Sequence, residues 1–303
     1  MQIVLGEFSG LGNQLFQYAA LRYYARRYGA TMRIAFAPAA SCNGYPRPCL
    51  LQHFSISAPM RERSLFDRLI LTDKPWLKAA PAPLKRALRV QMFAEQLEHH
   101  YCFLRDLPLE QDVKTLYLAG YFQTHLLVEE IADDLRVDLT FKEPPQGKNL
   151  ELQQQISRSK NPVSLHIRRG DSTLAAEGKV VLPMEYYSNA ISTFKERLID
   201  PTFFVFSDDI PFVKENLPRN ARTVFVEHND DFAAHEDLRL MSSCRHHIIA
   251  NSTFSWWGAW LNPRPEKMVI APRHWFLGAD NYYPNLFPHD WMLAEVAGVE
   301  ISA

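Results

Sequence analysis

The sequence predicts an α/β protein with two Rossmann-like, doubly wound domains. A strand, a glycine-rich turn, a helix and a second strand open the chain, and a second run of alternating strands and helices begins after residue 149. The length of 303 residues is long for one domain and comfortable for two. We therefore expect an N-terminal domain over 1–148 and a C-terminal domain over 149–303, whose last helix is a candidate to pack back on the first domain.

The opening residues favour a βαβ unit. A β-branched and aliphatic run over 3–5 predicts a strand, and the turn GEFSGLGNQ follows it. A helix is predicted from near Asn13. Arg26 and Arg27 lie in its last turn, where cations suit the helix dipole, and Gly29 is a typical residue to end it. The turn lacks the third glycine of a dinucleotide-binding motif, which disfavours a nicotinamide cofactor.

A segment over 61–90 is rich in positive charge. Eight basic residues face three acidic ones, a local balance of +5: Arg61, Arg63, Arg68, Lys74, Lys78, Lys85, Arg86 and Arg89 against Glu62, Asp67 and Asp73. Three prolines divide the segment into short amphipathic pieces. We interpret 61–105 as a solvated helical insertion. The alternative is a surface for peripheral contact with an acidic membrane or with an anionic acceptor.

The second half alternates regularly after a linker with two prolines and a glycine at 143–149. Five strands are predicted, in VSLHI, TFFVF, RTVFVE, HIIA and KMVIA. Helices are predicted over 184–198, after Pro211, over 236–244 and in FSWWGAWL. This order indicates a second sheet of parallel strands.

Composition and charge exclude several classes of protein. An apolar content of 47% and a charged content of 22% are typical of a globular protein, and the net charge of −1 argues against general nucleic-acid binding. Four cysteines without a C-x-x-C pair indicate reduced thiols rather than a zinc site. No apolar run is long enough to span a membrane, and no signal sequence precedes the first strand, so we expect a cytoplasmic protein.

Three polar stretches follow predicted strands of the second half: HIRRGD, SDD at 207–209 and NSTFS at 251–255. Because the carboxyl ends of parallel strands meet at one edge of a sheet, we expect these loops to lie together and to form a binding site. Each loop also has a simpler interpretation. Asp208 and Asp209, and Ser252 or Thr253, are the residue types that cap helices.

These residue types suit a nucleoside diphosphate. Ser252 and Thr253 precede a helix, so their hydroxyls and the backbone N–H groups behind them form an anion site. Arg168 has the planar fork that binds diphosphate oxygens, and a carboxylate on the same rim is the expected partner for guanine or ribose. We expect Arg169 to pair with Asp171 and to hold the loop.

Four motifs, GLGNQLFQYA, HIRRGD, FSDD and NSTFSWWGAWLNP, occur in this order over residues 10–263. Together they resemble the α-1,2-fucosyltransferases of glycosyltransferase family 11. The resemblance implies a GT-B architecture, with GDP-fucose in a cleft between the two domains. It also implies transfer of fucose to a galactoside 2-hydroxyl with inversion, and without an essential metal or other cofactor. The implied acceptor is a galactose-terminated oligosaccharide such as lactose or N-acetyllactosamine, or a lipid-linked glycan.

The resemblance also implies donor-binding roles for individual residues. Arg168 would hold the β-phosphate of the leaving GDP, in place of the cation that other glycosyltransferases use. His166 and Asp208 would recognise guanine. The residues that would bind the diphosphate ahead of the last long helix are Ser252, Thr253 and Phe254.

The N-terminal domain contributes fewer candidates. Asn13 would approach the diphosphate from this side. Tyr121, Gln123 and His125 follow a predicted strand and are candidates for the acceptor side, with ordinary loop packing as the alternative. The overall function also has two alternatives: transfer with α-1,3 or α-1,6 linkage, and a non-catalytic module that binds a guanine nucleotide or a glycan.

The general base has several candidates, because an inverting displacement needs a group that accepts the proton of the acceptor hydroxyl. Asp171 is the first choice, since it lies within the motif, and its alternative role is the pairing with Arg169. Glu177 and Glu7 are further candidates. The β-phosphate of GDP is the last one.

Overall fold

The computed structural model describes residues 1–6, 9–37, 41–42, 45–71, 87–95, 103–169, 181–218, 221–275, 283 and 285–296. The chain divides into two compact units. The first unit comprises Met1–Lys142 together with Asn285–Phe287, and the second comprises Glu143–Pro284 together with Pro288–Ala303. The boundary predicted from the sequence, at 148, lies inside the helix Gly147–Arg158.

The first unit is built on a five-stranded parallel sheet with strand order β5-β2-β1-β7-β6. Its strands are β1 (Gln2–Gly6), β2 (Thr31–Phe36), β5 (Met60–Glu62), β6 (Val90–Ala94) and β7 (Thr115–Ala119), and β3 (Ser41–Cys42) and β4 (Tyr45–Pro46) form a separate antiparallel pair. Its helices are α1 (Leu11–Tyr28), α2 (Leu65–Ile70), α3 (His125–Glu130) and α4 (Ala132–Asp138), with a 3-10 turn at Leu51–His53.

Helix α1 follows β1 directly and is buried over most of its length. It begins at Leu11, after Gly10, whereas the sequence predicted a start near Asn13 or Gln14, so the prediction was late by less than one turn. Gly29 ends the helix in the left-handed conformation, at φ 59°, and its N–H bonds to carbonyls of the last turn, as predicted. Arg26 and Arg27 occupy that last turn. The helix therefore completes the predicted βαβ unit.

The expected helical insertion at 61–105 is only partly helical. Within its described part, β6 pairs along its whole length with β7 and forms an edge of the main sheet. Val90 packs against Val4, Ala35, Ile70 and Tyr117, and this apolar cluster explains why a charged segment contains a strand. Because basic residues surround β6, the sequence pattern did not predict this strand.

Helix α2 is held against the sheet by a buried carboxylate. Asp67 accepts hydrogen bonds from both outer nitrogens of Arg33 (2.7 and 3.1 Å) and from the Tyr117 hydroxyl (2.7 Å). Ser64 and Asp67 also form a capping box at the start of the helix. Burial alone would raise the pKa of Asp67, but these hydrogen bonds outweigh it and hold the pKa well below its usual range. One side of α2 is therefore rigidly attached.

The second unit is built on a six-stranded sheet, again parallel in every pairing, with strand order β10-β9-β8-β11-β12-β13. Its strands are β8 (Asn161–Ile167), β9 (Pro201–Ser207), β10 (Thr223–Phe225), β11 (His246–Ile248), β12 (Val269–Pro272) and β13 (Met292–Ala294). Its helices are α5 (Gly147–Arg158), α6 (Met184–Arg197), α7 (Ile210–Asn216), α8 (Ala234–Ser243) and α9 (Thr253–Leu261), with a 3-10 turn at Asp231–Ala233. Every strand and helix predicted for this half is present.

Both faces of this second sheet are covered. Val163, Leu165 and Ile167 of β8 point to one face and pack with helix α6. Phe204 and Phe206 of β9 point to the other face and pack with helix α8. Coverage on both faces is what the unbroken apolar strands require, and it confirms the doubly wound arrangement.

Helix α9 is anchored at its carboxyl end. Lys267 donates its ammonium hydrogens to the carbonyl oxygens of Ala259 (2.9 Å) and Asn262 (2.8 Å). The Asn262 amide in turn bonds to the carbonyl of Cys244 (3.1 Å) and lies 2.8 Å from Nε2 of His247. This network fixes the helix, and therefore also the position of its N-terminus.

No described helix combines the length and apolar character needed to cross a bilayer.

Candidate functional site

The sheet of the second unit changes direction between β8 and β11. The chain runs from β8 outward to β9 and β10, and then returns to β11 and continues outward on the other side. Ligands of open parallel sheets bind outside the carboxyl ends of the strands at such a switch point. The HIRR stretch leaves β8 there, the SDD stretch leaves the neighbouring β9, and the NST stretch leaves β11. The structure thus brings together the three loops that the sequence analysis selected.

The two adjacent arginines have different environments. Nε of Arg168 lies 3.9 Å from Oδ2 of Asp208, at partly exposed positions. The backbone N–H of Arg169 donates to Oδ1 of the same carboxylate (2.8 Å), and its guanidinium lies 3.7 Å from the ring centroid of Phe212. Asp208 therefore joins the ends of β8 and β9. Asp209, beside it, caps helix α7 by accepting from the N–H of Phe212.

His166 is the last residue but one of β8 and lies two positions before Arg168. Its ring is 6% exposed and lies 5.8 Å from that of Phe254, the second residue of α9. Burial, and then the charge of Arg168, lower the pKa of His166 to about 3. The imidazole is therefore neutral near pH 7, and its Nδ1 has no hydrogen-bond partner among the described residues.

The N-terminus of α9 lies after β11, where the sequence predicted an anion site. Ser252 is its N-cap residue, with extended backbone, and its side chain makes no capping hydrogen bond. It is 9% exposed, so its hydroxyl does not act as the helix cap that the simpler interpretation proposed. Thr253 and Phe254 follow as the first helical residues. Asn251 is held in place by its amide, which donates to the carbonyl of Trp275 (3.1 Å).

Asp237 is a carboxyl group of this unit that was not predicted from the sequence as a candidate. Asp237 lies in the first turn of α8, and its Oδ1 accepts from the Asn229 amide (2.6 Å). Burial raises the pKa of Asp237 to about 6, against the effect of that hydrogen bond. In sequence it resembles any acidic residue that favours a helix N-terminus, so no local pattern distinguished it.

In the first unit, β1 and β7 are neighbouring parallel strands at the centre of the sheet. Asn13 follows β1 and Gln123 follows β7, and the Gln123 amide donates to Oδ1 of Asn13 (2.8 Å). The Asn13 amide in turn donates to Oγ of Ser9 (2.9 Å). Ser9 has a positive φ of 74°, a conformation that costs free energy for a residue with a side chain. The two candidates therefore form one hydrogen-bonded rim.

Glu95, just after β6, organises the loop that carries Tyr121. One oxygen of its carboxylate accepts from the backbone N–H groups of Tyr121 (2.7 Å) and Phe122 (2.9 Å). Gly120 is required beside it, since a Cβ there would lie 2.5 Å from the Cβ of Glu95. Phe122 adopts a positive φ of 52°. Glu95 is the second residue that the sequence analysis missed, because β6 was not recognised.

His125 has a structural contact in this unit. It is fully buried at the start of α3, and its backbone N–H donates to the carbonyl oxygen of Asn285 (2.8 Å). Its Nδ1 lies 2.9 Å from the same oxygen. These bonds attach 285–287 to the first unit, and the acceptor-side role of His125 stays a prediction.

The candidates for the general base, Asp171, Glu177 and Glu7, lie outside the described residues. The pairing of Arg169 with Asp171 also stays a prediction. Within the described part of the chain, no three His, Cys, Asp or Glu side chains are grouped so that they would hold a metal ion. Cys49 and Cys244 are buried free thiols.

Comparison with known proteins gives several relatives along the whole chain. O-antigen biosynthesis glycosyltransferase WbnK of Escherichia coli is 31% identical over 292 residues, which cover 89% of this chain and 93% of that protein. Alpha-1,2-colitosyltransferase of Escherichia coli is 29% identical over 310 residues, covering 97% and 100%. Galactoside alpha-(1,2)-fucosyltransferase 2 of Hylobates lar is 28% identical over 255 residues, covering 83% and 66%.

Solved structures share the fold. Fucosyltransferase NodZ from Bradyrhizobium matches with a TM-score of 0.52 at 12% identity, over 85% of this chain and 91% of that one. A mutant of Arabidopsis thaliana FUT1 in complex with GDP matches with a TM-score of 0.51 at 12% identity, over 96% and 76%. The two parallel-sheet units together with these neighbours confirm the GT-B fold class.

A family model connects the motifs at the two ends of the chain. The model described as glycosyl transferase family 11 matches residues 9–291, from the turn after β1 to the start of β13. That range contains all the described residues of both rims. The resemblance noted in the four motifs is thereby confirmed, and the chain belongs to glycosyl transferase family 11.

Proposed function

We propose that the chain transfers L-fucose from GDP-β-L-fucose to the 2-hydroxyl of a terminal galactoside, forming an α-1,2 linkage with inversion. The observation that supports this proposal is the shared edge of the second sheet. There, Arg168, Asp208 and the uncapped N-terminus of α9 lie around the switch point, beside the neutral His166. A guanidinium and a helix N-terminus on one rim suit a diphosphate leaving group.

The chemistry of transfer needs stabilisation of the departing GDP. As the bond from fucose C1 to the β-phosphate oxygen breaks, negative charge develops on that oxygen. Arg168 would neutralise it in place of a metal, and the backbone N–H groups of Thr253 and Phe254 at the start of α9 would bind the remaining phosphate oxygens. The Nε of the partly exposed Arg168 lies 3.9 Å from Oδ2 of Asp208, so the carboxylate helps to orient the guanidinium at this edge of the sheet.

Recognition of the base needs an acceptor for the N–H edge of guanine. Asp208 is one candidate, although its Oδ1 already binds the loop N–H of Arg169. Asp237 is a second candidate on structural grounds, because it is a partly exposed carboxyl group with a polar partner, Asn229. The neutral His166 would stack against or hydrogen-bond to the nucleoside. We therefore assign recognition of the guanine base to Asp208 and His166, with Asp237 as the second candidate carboxylate.

In the first unit, we propose that the hydrogen-bonded rim of Asn13 and Gln123 contacts the substrates. Amide groups held by fixed hydrogen bonds suit sugar hydroxyls and phosphate oxygens alike. Tyr121, held by Glu95, would contribute its side chain on the acceptor side. Asp171 stays our first candidate for the general base that deprotonates the acceptor hydroxyl.

A second candidate donor follows from one relative. The alpha-1,2-colitosyltransferase of Escherichia coli is 29% identical over 97% of this chain. Colitose is fucose without its 3-hydroxyl, so the two GDP-sugars present the same diphosphate and the same leaving group. Discrimination would rest on a single hydroxyl contact, and both donors belong in the functional test.

The test is a screen of purified protein against both donors. GDP-fucose and GDP-colitose are each offered with lactose, N-acetyllactosamine and a type 1 chain, in the presence and absence of EDTA, and products are analysed by NMR. We expect an α-1,2-linked product with GDP-fucose, with activity unaffected by EDTA. A strict requirement for added manganese, or a different linkage, would contradict the proposal. GDP binding without product from any donor would identify a non-catalytic module instead.

A further inference from the structure

We propose that the outward side of helix α2 docks on a membrane surface rich in anionic lipid. This surface, which we call the α2 patch, consists of Leu65, Phe66 and Leu69 together with Arg61 and Arg68. The inference concerns the first unit only. It does not depend on which sugar the protein transfers.

The helix is presented in a fixed orientation. Asp67 and Ile70 point inward, where they are 1% and 0% exposed, and the ion pair of Asp67 with Arg33 clamps the helix to the sheet. The opposite side is therefore held outward by the same contacts. Helix α2 is not loosely attached, because a capping box and the buried carboxylate of Asp67 anchor it. Its outward side chains are therefore exposed in a defined orientation.

The outward side is apolar to an unusual degree for so short a helix. Leu65 is 80% exposed, Leu69 is 52% exposed and Phe66 is 38% exposed. Positions 65 and 69 are one helical turn apart, so their side chains are neighbours. Other strongly exposed apolar residues, such as Val137 at 68%, occur singly. A cluster of this kind marks an interaction surface, whereas scattered single residues do not.

The charge around this cluster is positive. Arg61 and Arg68 are exposed, and neither forms an ion pair with a described residue. Glu62 is the one exposed acidic residue between 60 and 71. The other acidic residue there, Asp67, is buried and paired with Arg33. In sequence, the segment 61–90 continues the excess to +5. Apolar side chains flanked by arginines match the boundary between acyl chains and anionic headgroups.

The same charge argues against a second copy of the chain as the occupant. In a two-fold symmetric dimer each patch would meet itself, so the net positive charge of Arg61, Glu62 and Arg68 in one copy would meet the same net charge in the other. That repulsion is absent at an anionic membrane, where each arginine gains attraction. The charge therefore selects the membrane over self-association.

The experiment is flotation of the full chain with vesicles of two compositions: phosphatidylcholine alone, and phosphatidylcholine with about 30% phosphatidylglycerol. We expect binding to the anionic vesicles only, weakened by salt. The variant Leu65→Ser/Leu69→Ser and the variant Arg61→Glu/Arg68→Glu should each reduce the bound fraction by about tenfold or more. The matched control is Val137→Ser, an exposed apolar residue on α4, which should bind like the wild type.

All substituted positions are exposed, so folding is expected to survive, and circular dichroism together with transfer to a soluble acceptor checks it. Absence of wild-type binding to anionic vesicles would overturn the proposal, as would equal binding by the α2 patch variants. Equal binding to both vesicle types would also overturn it, because the arginines would then contribute nothing to binding. If the leucine variant instead converts a dimer to a monomer in light scattering, the patch is a protein interface and the proposal is wrong.

Discussion

At the scale of single residues, the adjacent Arg168 and Arg169 make different contacts within the protein. Arg169 is occupied within the protein, since its guanidinium stacks on Phe212 and its N–H binds Asp208. Arg168 contacts the same carboxylate only at 3.9 Å. Cation–π contact at one position and a loosely oriented fork at the next relieve the repulsion between the two charges. Arg168 is therefore the arginine to which we assign the ligand, on the basis of its position beside Asp208 at the sheet edge.

We predict that Arg168→Ala lowers turnover by about 10²–10³-fold, because the substitution removes the donor that meets the developing phosphate charge. Arg168→Lys should recover little, since the planar fork is lost. The control Arg222→Ala removes an exposed arginine paired with Asp200 and should leave turnover unchanged. Turnover and GDP affinity are measured by a transfer assay and by calorimetry. Near-normal turnover in a folded Arg168→Ala protein would exclude the assigned role.

At the scale of elements, α2 depends on one buried carboxylate. Asp67 receives hydrogen bonds from Arg33, Tyr117 and Ser64, so it joins the helix to both β2 and β7. Removing one partner of a buried pair leaves the other charge without compensation. The helix that carries the α2 patch is therefore a sensitive element of the first unit.

We predict that Asp67→Asn lowers the free energy of unfolding by about 3 kcal/mol, because the neutral amide leaves the charge of Arg33 without its counter-ion. The control Asp200→Asn breaks an exposed pair with Arg222 and should cost less than about 1 kcal/mol. Urea denaturation followed by tryptophan fluorescence measures both. Similar losses in the two variants would show that the Asp67 network does not stabilise the unit.

At the scale of the whole molecule, the second unit contains buried histidines that are neutral when folded. Burial is the main cause that lowers the pKa of His166 to about 3 and that of His246 to about 4, from an ordinary value of 6.5. The pKa of His247 is lowered well below that value for the same reason. On acidification these groups take up protons in the unfolded chain first, so unfolding is favoured as pH falls below 6.5.

Asp237 acts in the opposite direction. Its pKa is raised from 3.8 to about 6 by burial, so between these values the folded state binds the proton more tightly than the unfolded chain does. Protonation of Asp237 therefore adds stability as pH falls through this range, and that contribution is lost as pH rises through about 6. The two effects partly cancel.

We predict that the urea midpoint of the wild type falls between about pH 7 and about pH 4, and that Asp237→Asn makes the fall steeper. The variant removes the compensating protonation but leaves the three histidines in place. Denaturation curves at several pH values measure the slope for both proteins. A midpoint that rises on acidification, or parallel curves for the two proteins, would contradict this balance.

The sequence analysis was most reliable where a pattern is local. The strands of the second unit, the end of α1 at Gly29 and the three loops at one sheet edge were all predicted, because strand periodicity, capping residues and the order of elements are visible along the chain. Prediction was least reliable where contacts between residues far apart in the sequence determine the local structure. The strand β6 escaped because its apolar side chains are few and charged neighbours surround them, and only pairing with β7 makes the segment a strand.

By itself, the sequence determined two parallel α/β units, the motifs of a glycosyltransferase family and the residue types of a diphosphate site. Only the tertiary structure decided which similar residues take which environment. It placed Arg169 over Phe212, raised the pKa of Asp237, and turned one side of α2 outward. The physical reason is that hydrogen bonding and desolvation depend on contacts such as that of Arg169 with Asp208, 39 residues apart, which no local pattern contains.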